Sequence, residues 1–198
     1  MSGIIGLWNP DGRSAAVEEI VRMSDAISHR GPDGRRRFVD GSVALGYLHL
    51  ETRGKPLPVV QPFADGETGL AIVLDGRIDN REDLSLGLES RGLTLRSGSD
   101  AELILRAYQL WGVESPARLL GDFAFAIWDL RNRRFFCARD QMGVKPFLYY
   151  FARNSLFAFG SEIKGIIALD RVPRRLNEFR LADYLVTELD REDTVGTF

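Results

Sequence analysis

Apolar residues along this chain fall into two spacings. Short dense runs occur at Ile4 to Trp8, Ser42 to Leu48, Leu70 to Leu74, Phe123 to Trp128, Phe135 to Ala138 and Leu148 to Phe159. Each is rich in β-branched or aromatic side chains and bounded by polar or turn residues, which predicts strands. The last run is broken at Arg153-Asn154, the expected turn of a hairpin. The segments AFAIWD, RFFCARD and LFAFGSE follow one another with short polar breaks, the pattern of an antiparallel meander.

Three segments carry helical spacing instead. In 15–28, Val17, Ile20, Val21 and Ile27 fall on one face, and Gly31-Pro32 ends the run. Asn80 stands where it could cap a helix to Arg91, with Gly92 as the stop. Ser99 and Glu102 form a capping box ahead of Leu103, Ile104, Ala107, Tyr108 and Trp111, and Gly112 closes that helix. Shorter helices are expected near 162–169 and 178–187. Strands and helices interleaved in this way, with mostly antiparallel pairing, predict an α+β fold rather than a dinucleotide-binding one. No GxGxxG, Walker A or nucleophile-elbow sequence is present.

Composition narrows the class without choosing a function. The 198 residues are 44% hydrophobic and 27% charged, ordinary for a water-soluble globular protein. No apolar run approaches the ~18 residues of a membrane span. The opening MSGIIGLWNPDG lacks the basic flank and cleavage site of a signal peptide, so a cytoplasmic location with no membrane partner is the expectation. The single cysteine, Cys137, excludes an internal disulfide. With only His29 and His49 as further soft ligands, no metal site is expected. Arginines cluster at 35–37 and 131–134, yet the net charge is −2 and no aromatics are set among them for base stacking. They read as solvated surface, and no nucleic-acid partner is expected.

The chemistry lies in motifs. The start Met1-Ser2-Gly3-Ile4-Ile5-Gly6 is similar to the Met-Cys-Gly-Ile-x-Gly opening of class II glutamine amidotransferases. His29-Arg30-Gly31-Pro32-Asp33 matches their HRGPD motif. Asp75-Gly76-Arg77-Ile78-Asp79-Asn80 occupies the place of their Asn-Gly-Glu-Ile-Tyr-Asn. Ser97-Gly98-Ser99-Asp100, Gly121 to Ala126, Arg139-Asp140, Gly143 with Lys145-Pro146, and Ser161-Glu162 with Lys164 follow in family order. On these residues the chain resembles the N-terminal glutaminase domain of the asparagine synthetase family over 1–170. The resemblance implies the N-terminal-nucleophile fold, a four-layer αββα sandwich of two antiparallel sheets. Residues 171–198 look like a connector toward an ATP-pyrophosphatase synthetase domain. That domain's Ser-Gly-Gly-x-Asp-Ser loop is absent, so ATP and magnesium are expected only in a synthetase domain of the same parent chain, and no cofactor here.

In the resembled family residue 2 becomes the N-terminal nucleophile, with its own α-amine as base. An amine of pKa near 7.7–8.0 suits that task. Ser2 stands at the position, and a hydroxyl depends on that base more than a thiol does. The oxyanion is met in the family by an asparagine amide and a glycine N–H. Here the positions hold Asp75 and Gly76, and an ionised carboxylate accepts hydrogen bonds but donates none. His49 aligns with the arginine that grips the glutamine α-carboxylate, and imidazole lacks the bidentate fork. Arg53 lies close enough in sequence to compensate. Arg77 replaces an acidic residue, and Asp100 aligns with the carboxylate that binds the glutamine α-amino group. Each has a plainer role open to it: Asp75 as a turn residue beside Gly76, His49 as a packed strand-end residue, Asp100 as a first-turn carboxylate.

Four changed positions on a kept scaffold imply a domain degenerate in glutamine hydrolysis. It would act as scaffold or binding module, for glutamine or a peptide substrate, in an amide-forming synthetase such as a lasso-peptide cyclase or β-lactam synthetase. The alternative is a working glutaminase that uses Ser2 to release ammonia for asparagine synthesis.

Overall fold

The computed structural model describes residues 2–52 and 61–185. Among these residues, nine strands build two antiparallel sheets. The first contains β1 (Gly3–Trp8), β2 (Gly34–Asp40), β3 (Val43–His49), β8 (Leu148–Ala152) and β9 (Leu156–Gly160) in the order β2-β3-β1-β9-β8. The second contains β4 (Phe63–Asp65), β5 (Leu70–Gly76), β6 (Phe123–Asp129) and β7 (Arg134–Arg139) in sequence order. Helices α1 (Val17–Ala26) and α4 (Ile163–Ile167) cover the first sheet, and α2 (Arg81–Glu89) and α3 (Asp100–Trp111) cover the second. A further helix, α5 (Glu178–Leu185), ends the described chain.

Strand alternation explains the layering. In β1, Ile5 and Leu7 point to Ile20 and Met23 of α1 and to Ile27 just after it, while Ile4 points to Val73, Ala124 and Ala126 of the other sheet. On the far side, Ile72 and Leu74 of β5 with Phe125 and Ile127 of β6 pack against Leu103, Ile104 and Tyr108 of α3. Three apolar clusters therefore separate four layers, the αββα arrangement the family resemblance implies. Among the described residues no helix is long and apolar enough to cross a membrane.

The capping box forms, with a variation. Ser99 Oγ accepts from the Glu102 N–H at 3.2 Å, and the Glu102 carboxylate reaches past the cap. It accepts from the N–H groups of Arg96 and Ser97 at 2.8 and 2.6 Å. Burial favours the neutral acid, but these donors prevail and hold Glu102 below the usual carboxylate range.

Several expectations need correction. The meander divides: AFAIWD and RFFCARD are neighbours in the second sheet, whereas LFAFGSE crosses to the first as β9. Polar breaks locate strands but carry no record of the layer each joins. In α1 the buried positions are Ile20 and Met23, with Ile27 buried just after it, while Val17 is exposed. Strand β2 lies in the Arg35-Arg36-Arg37 run, where solvated surface is the sequence expectation. It is an edge strand, and charged side chains are how edges avoid further pairing. Asn80 sits at the start of α2 without capping it; its amide instead joins the backbone of Arg118 and Leu120 across the loop.

The two residues just past the expected boundary at 170 pack on the preceding chain. Val172 is buried against the first helical layer, and Arg171 ties to Glu19 and Asn9. The connector expectation for 186–198 lies outside the described residues.

Candidate active site around Ser2

The site begins where β1 begins. Ser2 Oγ receives the Leu50 N–H at 3.2 Å, and the Tyr47 hydroxyl lies 3.4 Å from it. Leu50 follows the end of β3, so the strand pairing of Gly3 with Leu48 sets this approach. Ser161 closes the other flank, accepting the Ile4 N–H on its Oγ at 2.9 Å. The backbone of residue 2 is held as well: Arg30 Nη1 donates to the Ser2 carbonyl at 3.1 Å.

The HRGPD segment builds this environment. Arg30 Nε and His29 Nε2 converge on Glu162 Oε1 at 2.5 and 2.8 Å. Burial would raise the Glu162 carboxyl, but bonds from Arg30, His29 and Lys164 hold it down at about 2. Gly31 lies so close to β3 that a Cβ there would stand 2.6 Å from Leu48 Cβ. Asp33 accepts the Glu51 N–H at 2.8 Å. The motif thus clamps residues 48–51, the stretch that touches Ser2.

Asp75 ends β5 on the opposite sheet and is buried, with 2% of its surface exposed. Its Oδ1 lies 3.4 Å from Lys145 Nζ, and its Oδ2 lies 3.8 Å from Arg30 Nη1. Oδ2 has no hydrogen-bond partner among the described residues. Burial pushes the Asp75 carboxyl above its ordinary value, against the opposing pull of Lys145 and Arg30. Lys145 is placed by Asp140, whose carboxylate accepts the N–H groups of Val144 and Lys145 at 2.8 and 3.0 Å. Arg30 touches both the Ser2 carbonyl and the Asp75 carboxylate zone, so these two expected site residues share one environment.

Gly76 is required by packing. At φ +154° it lies against β6, where a Cβ would meet the Asp122 carbonyl oxygen at 2.3 Å. Gly121, before β6, is equally crowded by the Arg77 carbonyl.

His49 Nδ1 lies 3.3 Å from the Tyr47 hydroxyl and its Nε2 3.6 Å from Glu51. Through Tyr47 it belongs to the Ser2 neighbourhood, yet its polar atoms are engaged by protein. Arg77 is exposed and directed to Asp79 at 2.8 Å and Asp122 at 3.5 Å. Asp100 is buried at the start of α3, and the Arg81 guanidinium bonds to it and to the Gly98 carbonyl. Arg53 lies outside the described residues. Cys137, packed against the inter-sheet core, has its thiol pushed up to about 12 by burial.

The family model described as a glutamine amidotransferase domain matches residues 1–197. The chain belongs to the class II glutamine amidotransferase domains of the asparagine synthetase family. It is 35% identical to glutamine-hydrolysing asparagine synthetase 3 of Bacillus subtilis, over 100% of this chain and 32% of that protein. It is 31% identical to amidase chry2 of Gibberella zeae, over 79% of this chain and 23% of that one. The domain therefore spans a third or less of these curated relatives. Among solved structures it is similar to glutamine phosphoribosylpyrophosphate amidotransferase from B. subtilis, complexed with ADP and GMP. The TM-score there is 0.65 at 21% identity, covering 84% of this chain and 43% of that one. That likeness supports the N-terminal-nucleophile fold.

Residues beyond the sequence expectation surround the candidate site. Tyr47, Arg30, Lys145 and Glu162 all contact Ser2, Asp75 or a residue that holds them. Tyr47 was legible in principle, since it stands two positions from His49 on one strand and so shares its face. Arg30, Lys145 and Glu162 lie in family motifs, but no spacing rule announces that loops so distant in sequence meet.

Proposed function

We propose that this domain is the N-terminal part of a longer ATP-dependent amide-forming enzyme, and that it has lost efficient glutamine hydrolysis. It serves there as a scaffold or binding module, with ATP and magnesium handled by a synthetase domain of the same parent chain. Lasso-peptide cyclases and β-lactam synthetases are the enzyme kinds this fits, since they join an amine already present in their substrate.

The observation that carries the reading is Asp75. The oxyanion of an amide-cleaving step needs donors preorganised at its position. Asp75 in its ionised form offers only acceptors, and its Oδ1 already faces Lys145. Removing one oxyanion donor costs about 10²–10³ in rate, and a like charge in its place adds repulsion. Ser2 compounds the loss, because a hydroxyl nucleophile needs its base more than a thiolate does.

A second reading keeps a glutaminase that uses Ser2. It draws on Lys145 and Arg30, whose positive charges beside Asp75 offset part of that repulsion. The two readings separate by rescue. A Ser2→Cys, His49→Arg, Asp75→Asn, Arg77→Glu variant should release glutamate and ammonia from glutamine where the unaltered protein releases none. Equal turnover by both proteins would defeat the degenerate reading.

A further inference from the structure

The two sheets differ in width. Five strands face four, and β7, the outer strand of the smaller sheet, lies beneath β9. Phe135 of β7 sits 5.5 Å from Phe157 and 5.6 Å from Phe159 by ring centroids. Strand β8 lies one position further out, and among the described residues no strand faces it. Its alternation sends Leu148, Tyr150 and Ala152 to the helical layer, and Tyr149 and Phe151 to the inter-sheet side. Those two aromatic rings are 68% and 57% exposed, an unusual investment of aromatic surface in solvent. With Trp8, Phe135, Phe157 and Arg134 they line a groove of about 280 Å³.

Among the described residues β7 pairs with β6 alone, and the groove runs beside its other edge. The space under β8 is the place of a fifth strand in the smaller sheet, about 4.8 Å from β7. The ends of β7 are basic, with Arg133 just before it and Arg134 at its start, and Arg139 at its end. Arg134 already donates to Tyr108 and lies 3.5 Å from Asp129, so the exposed Arg133 and Arg139 are the charges a partner would meet. A second copy pairing antiparallel on this edge would bring the Arg133–Arg134 end of each chain beside Arg139 of the other. Like charges opposed across strands are destabilising, so the edge disfavours itself.

We propose that this edge and groove bind an extended partner segment by strand addition. The segment carries acidic residues at its two ends, against the β7 arginines, and apolar residues at alternate positions against Tyr149 and Phe151. Backbone hydrogen bonds to β7 supply affinity, and the aromatic groove supplies selectivity. Ser2 precedes β1 and Trp8 ends it, so the groove lies about 20 Å from the nucleophile position and is independent of glutamine chemistry.

The test uses an acetylated, amidated peptide Glu-Ile-Thr-Ile-Thr-Glu, followed by amide chemical shifts and hydrogen exchange of the full chain. Binding should shift and protect the amides of β7. A peptide with lysine at both ends should bind roughly tenfold more weakly, from two lost charge pairs. The Tyr149→Ser, Phe151→Ser variant should also bind less, while unchanged exchange in β1 and β6 shows that its fold is intact. Absence of shifts in β7 at about 1 mM peptide, or equal binding of the two peptides, would overturn the proposal. So would concentration-dependent dimerisation abolished by the Tyr149 and Phe151 substitutions, which would assign the groove to a second copy.

Discussion

Lys145 Nζ stands 3.4 Å from Asp75 Oδ1, so the carboxylate at the position that the resemblance assigns to the oxyanion is answered from the loop between β7 and β8. The pair is a repair of charge rather than of function. Lys145 reduces the cost of burying Asp75 but leaves the site without the neutral donor that an amide would provide. Asp75→Asn in a Ser2→Cys background should therefore raise glutamine turnover by about 10²-fold over Ser2→Cys alone. A coupled assay for glutamate measures it, and an increase of less than a few-fold would place the defect elsewhere.

Arg81 and Asp100 invite a second substitution. In the resembled family the carboxylate at position 100 takes the glutamine α-amino group, and here the Arg81 guanidinium bonds to it. An internal cation competes with a substrate ammonium for one carboxylate. Arg81→Ala, introduced into the four-residue rescue variant, should lower KM for glutamine by about tenfold, the worth of a charged hydrogen bond. An unchanged KM with altered kcat would show that Arg81 does not compete with substrate.

Glu162 gives the fold a pH signature. Its carboxyl falls from an ordinary value of 4.5 to about 2 through bonds that outweigh its burial. A carboxyl depressed on folding contributes stability that is fully present above the unfolded value and lost as pH falls through the folded one. That contribution should decay between about pH 5 and pH 2. Urea unfolding across this range should show a flatter pH dependence for Glu162→Gln than for the unaltered protein. Parallel curves would mean that the Arg30 and His29 contacts contribute little.

Gly31 tests the clamp. A methyl group there would stand 2.6 Å from Leu48 Cβ and 2.9 Å from the His49 nitrogen. Gly31→Ala should cost about 1–3 kcal/mol by forcing the turn away from β3. The midpoint of chemical unfolding reads this directly, and an unchanged midpoint would show that the turn can yield.

Much of the fold was legible because local signals agreed with it. The hairpin turn at Arg153-Asn154, the Ser99 cap and the strand runs all lie where spacing put them. Two short or charged edge strands escaped, since β2 reads as solvated arginines and β4 has only three residues. The sequence singles out positions for the candidate site but not their pairings. That Arg81 covers Asp100, or that Arg30 spans Ser2 and Asp75, depends on side chains brought together by loops far apart in sequence. Periodicity reports which face a residue takes, and says nothing of the partner it meets there.

The central claim is that an aspartate in the oxyanion position and a serine nucleophile disable amide cleavage. Incubation of the unaltered protein with glutamine, with glutamate and ammonia measured against a Ser2→Ala control, tests it most directly. The account predicts that the two proteins release the same background amount. Turnover present in the unaltered protein and abolished in Ser2→Ala would contradict it.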